Sequence, residues 1–309
     1  MAGGLMVIDT ASLYFRAFFG VPESVKAPDG TPVNAVRGLL DMLAQLVTRF
    51  PPERLVCCDD FDWRPDFRVA AIPSYKAHRV ASQGPDGWVE EVPAALVPQV
   101  PVIWEVLAAI GIAAIGVDGF EADDVLGTLA ARDPGPVDVV SGDRDLLQVV
   151  DDTRGVRVLY CGRGVAKLEV MDDAAVRAKY GVPGAGYADM AALRGDPSDG
   201  LPGVPGVGEK TAAALVARFG SVEGILAALD GGVTDGFPAG ARTKVAAARE
   251  YLAAAPEVVR VRRDVPIPDD LDDALPGTPA DPEALIALVD RWGIRNSVNR
   301  LLAAVGVTV

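Results

Sequence analysis

Histidine is nearly absent from this chain, with His78 alone among 309 residues. No second histidine accompanies it, so we interpret His78 as a surface residue or backbone contact rather than a metal ligand. Cysteine is also scarce. Cys57, Cys58 and Cys161 include an adjacent pair and have no spaced partners, which excludes a disulfide framework and predicts a reducing, cytoplasmic location.

Long hydrophobic runs are missing as well. Half of the residues are hydrophobic, yet no stretch reaches the length of a membrane span. The N-terminal segment has no basic start, and Asp9 and Arg16 interrupt its apolar run, which argues against a signal peptide. No repeat of solenoid length is visible. We therefore expect a globular monomer with one large or two smaller domains and no membrane contact.

Positive charge is in deficit: 29 Lys and Arg face 43 Asp and Glu, for a net charge of −14. Such a balance ordinarily argues against a polyanionic partner. The argument reverses if many of the acids bind cations, because bound cations invert the local field. The remaining Lys and Arg residues then need to form only one patch.

Acid is abundant between Phe120 and Asp145. Two unit charges about 4 Å apart cost on the order of 4 kcal/mol at an effective dielectric of roughly 20, so a folded cluster needs neutralisation. Oxygen ligands without histidine or thiolate nearby favour magnesium, calcium or manganese. The stretch contains five carboxylates: Glu121, Asp123, Asp124, Asp143 and Asp145.

A purely structural role for the same acidic residues is an alternative. Three of them lie where a helix over 122–132 would begin, and acids in a first turn stabilise the helix dipole. Asp145 could cap the next helix. Against this, Glu121 and Asp124 share one helical face, and Asp143 follows a predicted strand directly.

Apolar runs predict strands at 5–8, 55–58, 112–117 and 137–140, with a hairpin over 156–160 and 166–170. Helical patterns separate the first four, which indicates an α/β fold with a doubly wound, mostly parallel sheet. Acids follow three strands, at Asp9, at Asp59 or Asp60, and at Asp143. They should meet at one edge of the sheet, where parallel sheets place their chemistry. Beyond residue 170 the pattern becomes helical, so we predict domains at 1–170 and 171–309.

The segment 64–79 interleaves basic and aromatic residues, a pattern that suits phosphates and bases. An ordinary solvated loop with inward-facing aromatics is an equal alternative. The stretch 80–87 is predicted to be turn-rich. The interleaved residues are Arg64, Phe67, Arg68, Tyr75, Lys76 and Arg79.

A second informative stretch runs from Asp196 to Thr211. A phosphate-binding P-loop is excluded because Glu209 stands where its lysine belongs. A hairpin between two helices remains, in which Gly206 and Gly208 let backbone amides approach a phosphate and Lys210 adds charge. A plain helix–helix turn is the structural alternative.

Asp9 and four motifs occur in a fixed order: FEADD from 120, SGDRD from 141, GDPSD from 195 and GVPGVGEKT from 203. In them the chain resembles the 5′-nuclease domain of bacterial DNA polymerase I and the flap endonuclease family over roughly residues 5–300. The resemblance implies a stand-alone, PIN-like nuclease core and a helix-hairpin-helix at about 195–220. Its expected activity is structure-specific 5′ cleavage of DNA, as 5′-3′ exonuclease and flap endonuclease, in replication and repair.

The resemblance also implies roles for individual residues. Two or more Mg²⁺ or Mn²⁺ ions would be bound, and a potassium ion would lie at the hairpin. We expect Asp124→Asn or Asp199→Asn to leave the fold intact and to remove cleavage. One metal group would be Asp9, Asp60, Glu121, Asp123 and Asp124, and the other Asp143, Asp145, Asp196 and Asp199. Residues meeting the scissile phosphate and the 5′ end would be Arg16, Tyr75, Lys76 and Arg79. DNA-binding residues would be Arg68, Gly203, Gly206, Gly208, Lys210 and Thr211.

The implied partner is DNA with a 5′ flap, a nick or a 5′ end, together with replication or repair proteins. Family members often build a helical arch near Val80–Trp88, and here that stretch has no lysine. Two alternatives are a catalytically weak DNA-binding module on the same scaffold and a PIN-like RNase. A small-molecule phosphatase would need no hairpin.

Overall fold

A computed structural model describes residues 4–84 and 87–307. Short apolar runs form the strands. In the described ranges the strands are β1 (Leu5–Asp9), β2 (Arg54–Cys58), β3 (Val80–Gly84), β4 (Gly87–Glu90), β5 (Ala113–Ile115), β6 (Val137–Ser141), β7 (Val156–Tyr160) and β8 (Glu169–Met171).

Helices connect the strands and make up most of the C-terminal half. Within the same ranges they are α1 (Thr10–Gly20), α2 (Asn34–Arg49), α3 (Asp66–Ala71), α4 (Gln99–Ile110), α5 (Ala122–Arg132), α6 (Asp173–Tyr180), α7 (Tyr187–Arg194), α8 (Glu209–Phe219), α9 (Val222–Asp230), α10 (Ala241–Ala247), α11 (Arg249–Val259), α12 (Pro282–Trp292) and α13 (Arg295–Ala304).

The main sheet has the order β5-β2-β1-β6-β7-β8, parallel except for the edge strand β8. Successive side chains of β1 point to opposite faces, as in any strand. Met6 and Ile8 belong to the core formed with α1, α2, α4, α12 and α13, whereas Leu5 and Val7 belong to the core formed with α5 and α7. Helices on both faces confirm the predicted doubly wound α/β fold. The chain leaves β1 for β2 on one side and returns to β6 on the other, which makes the carboxyl ends of β1 and β6 the switch point.

Two predicted elements differ in detail. In the predicted hairpin, residues 165–167 form a 3₁₀ turn and the second strand is only Glu169–Met171. The helix expected over 242–254 is two helices, because the chain turns at Ala248, whose amide donates to the carbonyls of Lys244 and Val245.

The segment predicted to be turn-rich is an antiparallel hairpin. β3 pairs with β4, with a register shift between Val80 and Ser82. Trp63 donates its indole N–H to the Trp88 carbonyl at 3.0 Å, and the Arg64 guanidinium lies 4.3 Å from the Trp88 ring centre. Pairing and these contacts override the local turn preference. In the described residues 80–84 and 87–90 the chain is therefore extended, not a helical arch.

The C-terminal half is helical, as predicted, and α7 packs against α8 across the loop 195–208. Among the described residues, no single helix has both the length and the apolar character needed to cross a bilayer. Helices α8 and α9 reach that threshold only as a pair bent by 73°.

Candidate active site

Asp9 ends β1 and is the N-cap residue of α1. One carboxylate oxygen accepts from the Ser12 amide at 2.9 Å and the other from the Ser141 hydroxyl at 2.5 Å. The Ser141 hydroxyl also accepts from the Asp143 amide at 2.9 Å. Ser141 thus ties the ends of two adjacent strands together. Ser141 was not among the predicted site residues, although its position at the end of an apolar run, two residues before Asp143, was the available signal.

A cavity of about 210 Å³ opens beside Asp9 at this edge of the sheet. Asp60 reaches it and accepts from the Ala122 amide at 2.7 Å. Asp59 and Asp62 instead accept from nearby backbone amides and do not line the cavity. The acids lining it are Asp9, Asp60, Glu90, Glu121, Asp123 and Asp143, and the cations are Lys76 and Arg79.

Three of the carboxyl groups that line this cavity have raised pKa values. Burial, offset in part by the Ser141 hydrogen bond, raises the pKa of Asp9 to about 7. Burial raises the pKa of Glu121 to about 7 despite nearby cations, and burial with Asp143 raises that of Asp123 well above its usual range. The cations beside Glu121 therefore do not offset the cost of burying its charge.

A second group adjoins the first through Asp143. Burial raises the pKa of Asp145 well above its usual range. The negative charges of Asp143, Asp199 and Asp196 raise that pKa further. One oxygen of Asp145 is buried without a hydrogen-bond partner among the described residues. Asp196 lies 3.8 Å from an Arg194 nitrogen. A buried oxygen without a hydrogen-bond partner, with other carboxylates beside it, could be satisfied by a bound cation.

The donor set fits a hard divalent cation, because every candidate ligand is a carboxylate. The carboxylates stand apart from one another: in residues 4–84 and 87–307, no three acidic, cysteine or histidine side chains form a ready-made ion site. Rotation of side chains towards a cation would be needed.

The structure does not bring Asp124 to this cavity. Asp124 is fully buried, and its two oxygens accept from Arg68 at 2.8 and 2.7 Å and from the Arg262 amide at 2.7 Å. The expectation that Asp124 is a metal ligand therefore needs correction. Its lone pairs are committed to a buried ion pair, which holds α5 against α3 and the chain after α11.

Arg68 is likewise not available to DNA. Only 2% of it is exposed, and it also donates to the Val258 carbonyl and lies 3.3 Å from Glu121. Arg64 is buried too and donates to the Tyr75 carbonyl at 2.6 Å. The predicted open basic patch is therefore divided, with two of its arginines serving the interior. Sequence could not reveal this because Asp124 is 56 residues away from Arg68.

Tyr75, Lys76 and Arg79 do lie at the acidic group. The Tyr75 hydroxyl donates to Glu121 at 2.9 Å, and Lys76 Nζ lies 3.1 Å from the same carboxylate. Arg79 lies 3.0 Å from Asp199. Arg16 is half-buried nearby on α1 and donates to the Gly162 carbonyl at 2.9 Å.

Backbone contacts join this basic segment to the turn at 196–200. The Lys76 amide donates to the Asp199 carbonyl at 2.9 Å, and the Ser74 hydroxyl donates to the Gly200 carbonyl at 2.9 Å. Lys76 has a left-handed backbone with φ of 47°, a conformation that costs a non-glycine residue energy. Contacts with residues more than a hundred positions away in the sequence thus fix the backbone position from which the Lys76 side chain extends.

The predicted hairpin glycines divide into two kinds. Gly203 is buried with φ of 65°, and a Cβ there would lie 2.5 Å from the Arg194 backbone. Gly206 and Gly208 are exposed, as is Lys210, and Thr211 is half-buried. Gly203 is therefore required for packing, which corrects its expected contact with DNA.

Gly203→Ala is expected to destabilise the protein by about 2 kcal/mol or more, because a left-handed residue is strained and its Cβ would strike backbone. The matched variant Gly208→Ala has an ordinary φ of −91° and open space around the new Cβ. It should change the free energy of unfolding by less than about 1 kcal/mol. Urea denaturation measures both, and equal losses would contradict this division.

The sheet, the acids at its switch point and the helical hairpin define a PIN-like nuclease fold. The chain belongs to the 5′-3′ exonuclease family: residues 4–181 match its N-terminal resolvase-like domain and residues 182–283 its C-terminal SAM fold. The predicted recognition is confirmed, as is 5′ nuclease function at the level of this family.

Relatives cover the whole chain. A Streptomyces coelicolor protein named 5′-3′ exonuclease is 63% identical over 96% of this chain and 98% of its own. A Mycobacterium tuberculosis protein of the same name is 56% identical over 98% of each. A Mycobacterium leprae DNA polymerase I is 39% identical over 99% of this chain and 32% of its own.

Solved structures share the fold at low identity. The T5 D15 protein co-crystallised with metal ions has a TM-score of 0.63 at 16% identity, covering 98% of this chain and 99% of its own. The catalytic core of Rad2 in complex with DNA substrate has a TM-score of 0.60 at 17% identity, covering 98% and 92%.

Proposed function

We propose that this protein hydrolyses DNA phosphodiester bonds at 5′ flaps and 5′ ends of duplex DNA by divalent-metal catalysis. The observation that carries the proposal is the group of carboxylates with raised pKa values at the switch point of the sheet, of which Asp9 is buried and Asp123 and Asp145 are half-buried. No serine–histidine or cysteine–histidine pair is needed, because metal-bound water can serve as nucleophile in such enzymes.

Two neighbouring groups of carboxylates would hold Mg²⁺ or Mn²⁺ ions. When bound, the ions would supply an activated water and stabilise the leaving oxygen. Asp143 lies between the two groups, because it lines the cavity with Asp9 and Asp123 and accepts from the Asp145 amide at 2.8 Å. The first group is Asp9, Asp60, Glu121 and Asp123, and the second is Asp145, Asp196 and Asp199.

Lys76 and Arg79 would bind the scissile phosphate, with Arg16 beside them. Lys76 now pairs with Glu121 and Arg79 with Asp199, two of the proposed metal ligands. Metal bound by these carboxylates would compete for their charge and free both cations for the phosphate. Fixed cations at a developing charge lower the barrier. The Tyr75 hydroxyl would orient Glu121 by its hydrogen bond.

The hairpin between α7 and α8 would bind the duplex part of the substrate. The backbone amides of the exposed residues Gly206 and Gly208 and the side chain of Lys210 lie at the start of α8, where the helix dipole favours a phosphate. The two glycines leave the backbone open to close approach.

The test compares a 5′-flapped duplex, a nicked duplex and a single strand, each as DNA and as matched RNA, in magnesium, manganese or EDTA. Metal-dependent cleavage of the DNA flap and of the 5′-ended duplex supports the proposal. Binding without cleavage in any divalent ion would favour a DNA-binding module, and preference for the RNA flap would favour an RNase.

Metal binding should depend on pH. Asp9 and Glu121 have pKa values raised to about 7, so protons compete with a cation below that pH. We expect Mn²⁺ affinity to rise as pH increases from about 6 to about 8, with protons released on binding. Calorimetry in two buffers of different ionisation enthalpy measures both, and a pH-independent affinity would contradict the expectation.

The same raised pKa values predict how the stability of the metal-free protein depends on pH. A carboxyl with a raised pKa contributes stability that is full below its unfolded pKa of about 4 and lost as pH rises through its folded pKa. The melting temperature in EDTA should therefore fall between about pH 4 and pH 7, and saturating Mn²⁺ should reduce that fall.

The domain division at residue 170, the monomeric state and the cytoplasmic location stay predictions.

A further inference from the structure

An exposed lysine side chain contacts the loop between α7 and α8. Lys244, on α10, donates its ammonium to the Gly206 carbonyl at 2.8 Å. These residues are 38 positions apart in sequence. The contact joins the proposed duplex-binding loop to a helix outside the hairpin.

The helix that carries Lys244 is anchored by two buried neighbours, while the Lys244 side chain itself is exposed. Ala241 and Val245 on the same helix are buried, at 1% and 0% exposure, so α10 cannot readily turn. The lysine stem lies against Gly206: a Cβ at that position would be 3.0 Å from Nζ and 3.3 Å from Cε. Gly206 also has φ of 76°. Glycine there permits both the backbone conformation and the approach of the lysine.

The partner of this ammonium is a backbone carbonyl, which is also the ligand type that binds potassium. The family resemblance implies a potassium ion on the hairpin carbonyls. At Gly206 a metal cation would meet the Lys244 ammonium, and two like charges at close range repel. The residues present do not fit a potassium ion at this carbonyl.

We propose that Lys244 replaces the monovalent metal ion at the hairpin. Its ammonium fixes the Gly206 carbonyl, which leaves the neighbouring amides free for a DNA phosphate, and it adds a permanent positive charge beside that phosphate. This inference rests on the proposed function, in which the hairpin binds duplex DNA. Duplex binding should then be indifferent to the choice between potassium and sodium.

The test measures the affinity of the full chain for a nicked duplex by fluorescence anisotropy, in potassium or sodium chloride at equal ionic strength. Calcium replaces the catalytic ions, and a gel confirms intact DNA. The wild-type dissociation constants should agree within about twofold. Lys244→Met keeps the stem and removes the charge, so affinity in sodium should fall roughly threefold to tenfold, with potassium restoring part of the loss.

Lys210→Met is the matched control, because it removes an exposed hairpin charge that does not contact Gly206. It should weaken binding equally in the two salts. A wild-type preference for potassium would overturn the inference, as would a Lys244→Met variant that folds and shows no difference between the salts. If Lys244→Met fails to fold, the wild-type comparison and Lys244→Gln decide the matter in the same way. Absence of duplex binding by the wild type in both salts would instead overturn the proposed role of the hairpin, and this inference with it.

Discussion

Asp143→Asn should lower the rate of DNA cleavage by about a thousandfold or more, the largest kinetic effect expected for a single substitution here. Asp143 lies between the two carboxylate groups, so its loss would weaken metal binding in both. A metal ion contributes several kcal/mol of transition-state stabilisation, and each 1.36 kcal/mol is about tenfold in rate. Single-turnover cleavage of a 5′-flapped duplex in manganese measures the effect.

The same variant should be more stable than the wild type in EDTA. Asp143 is exposed at one side, yet desolvation by the surrounding group and the charges of Asp199 and Asp196 raise its pKa, so a neutral amide relieves repulsion. Asp270→Asn, at an exposed position, is the control and should alter neither rate nor melting temperature. Turnover by Asp143→Asn within tenfold of the wild type would contradict its assignment as a ligand.

Arg68→Met should cause the largest loss of stability, about 3–5 kcal/mol, because breaking a buried ion pair leaves an uncompensated buried charge. Asp124 is 0% exposed, and Glu121 lies 3.3 Å from the same guanidinium. Asp124→Asn should destabilise the protein as well, contrary to the expectation from sequence that it would leave the fold intact. Urea denaturation at neutral pH measures both losses.

A double variant tests whether the loss comes from the pair. Arg68→Met with Asp124→Asn should cost less than the sum of the single changes, because each removes a charge that the other would leave unpaired. Arg295→Met is the matched control: its pair with Asp290 is 61% and 62% exposed, and its loss should stay below about 1 kcal/mol. If Arg68→Met also cost less than about 1 kcal/mol, the buried pair would not stabilise the fold as argued.

Local pattern was enough for the α/β architecture. The apolar runs before Asp9 and Asp143 and the helical period between them predicted parallel strands, and parallel strands place their ends at one edge. The order of the acidic motifs predicted the family for the same reason, since each motif is short and contiguous. The paired strands 80–84 and 87–90 were missed because strand pairing outweighed a turn-rich composition.

The partners of individual side chains were decided only by the tertiary structure. Asp123 and Asp124 are adjacent in sequence, yet one lines the cavity and the other is bound to Arg68 in the interior. Gly203 and Gly206 look alike in a motif, yet one packs against backbone and the other receives Lys244. Sequence therefore determined the sheet, the edge at which its acids gather and the family. Folding determined which carboxylates stay free for a cation, because each pairing joins residues far apart in the chain and depends on burial that no local pattern records.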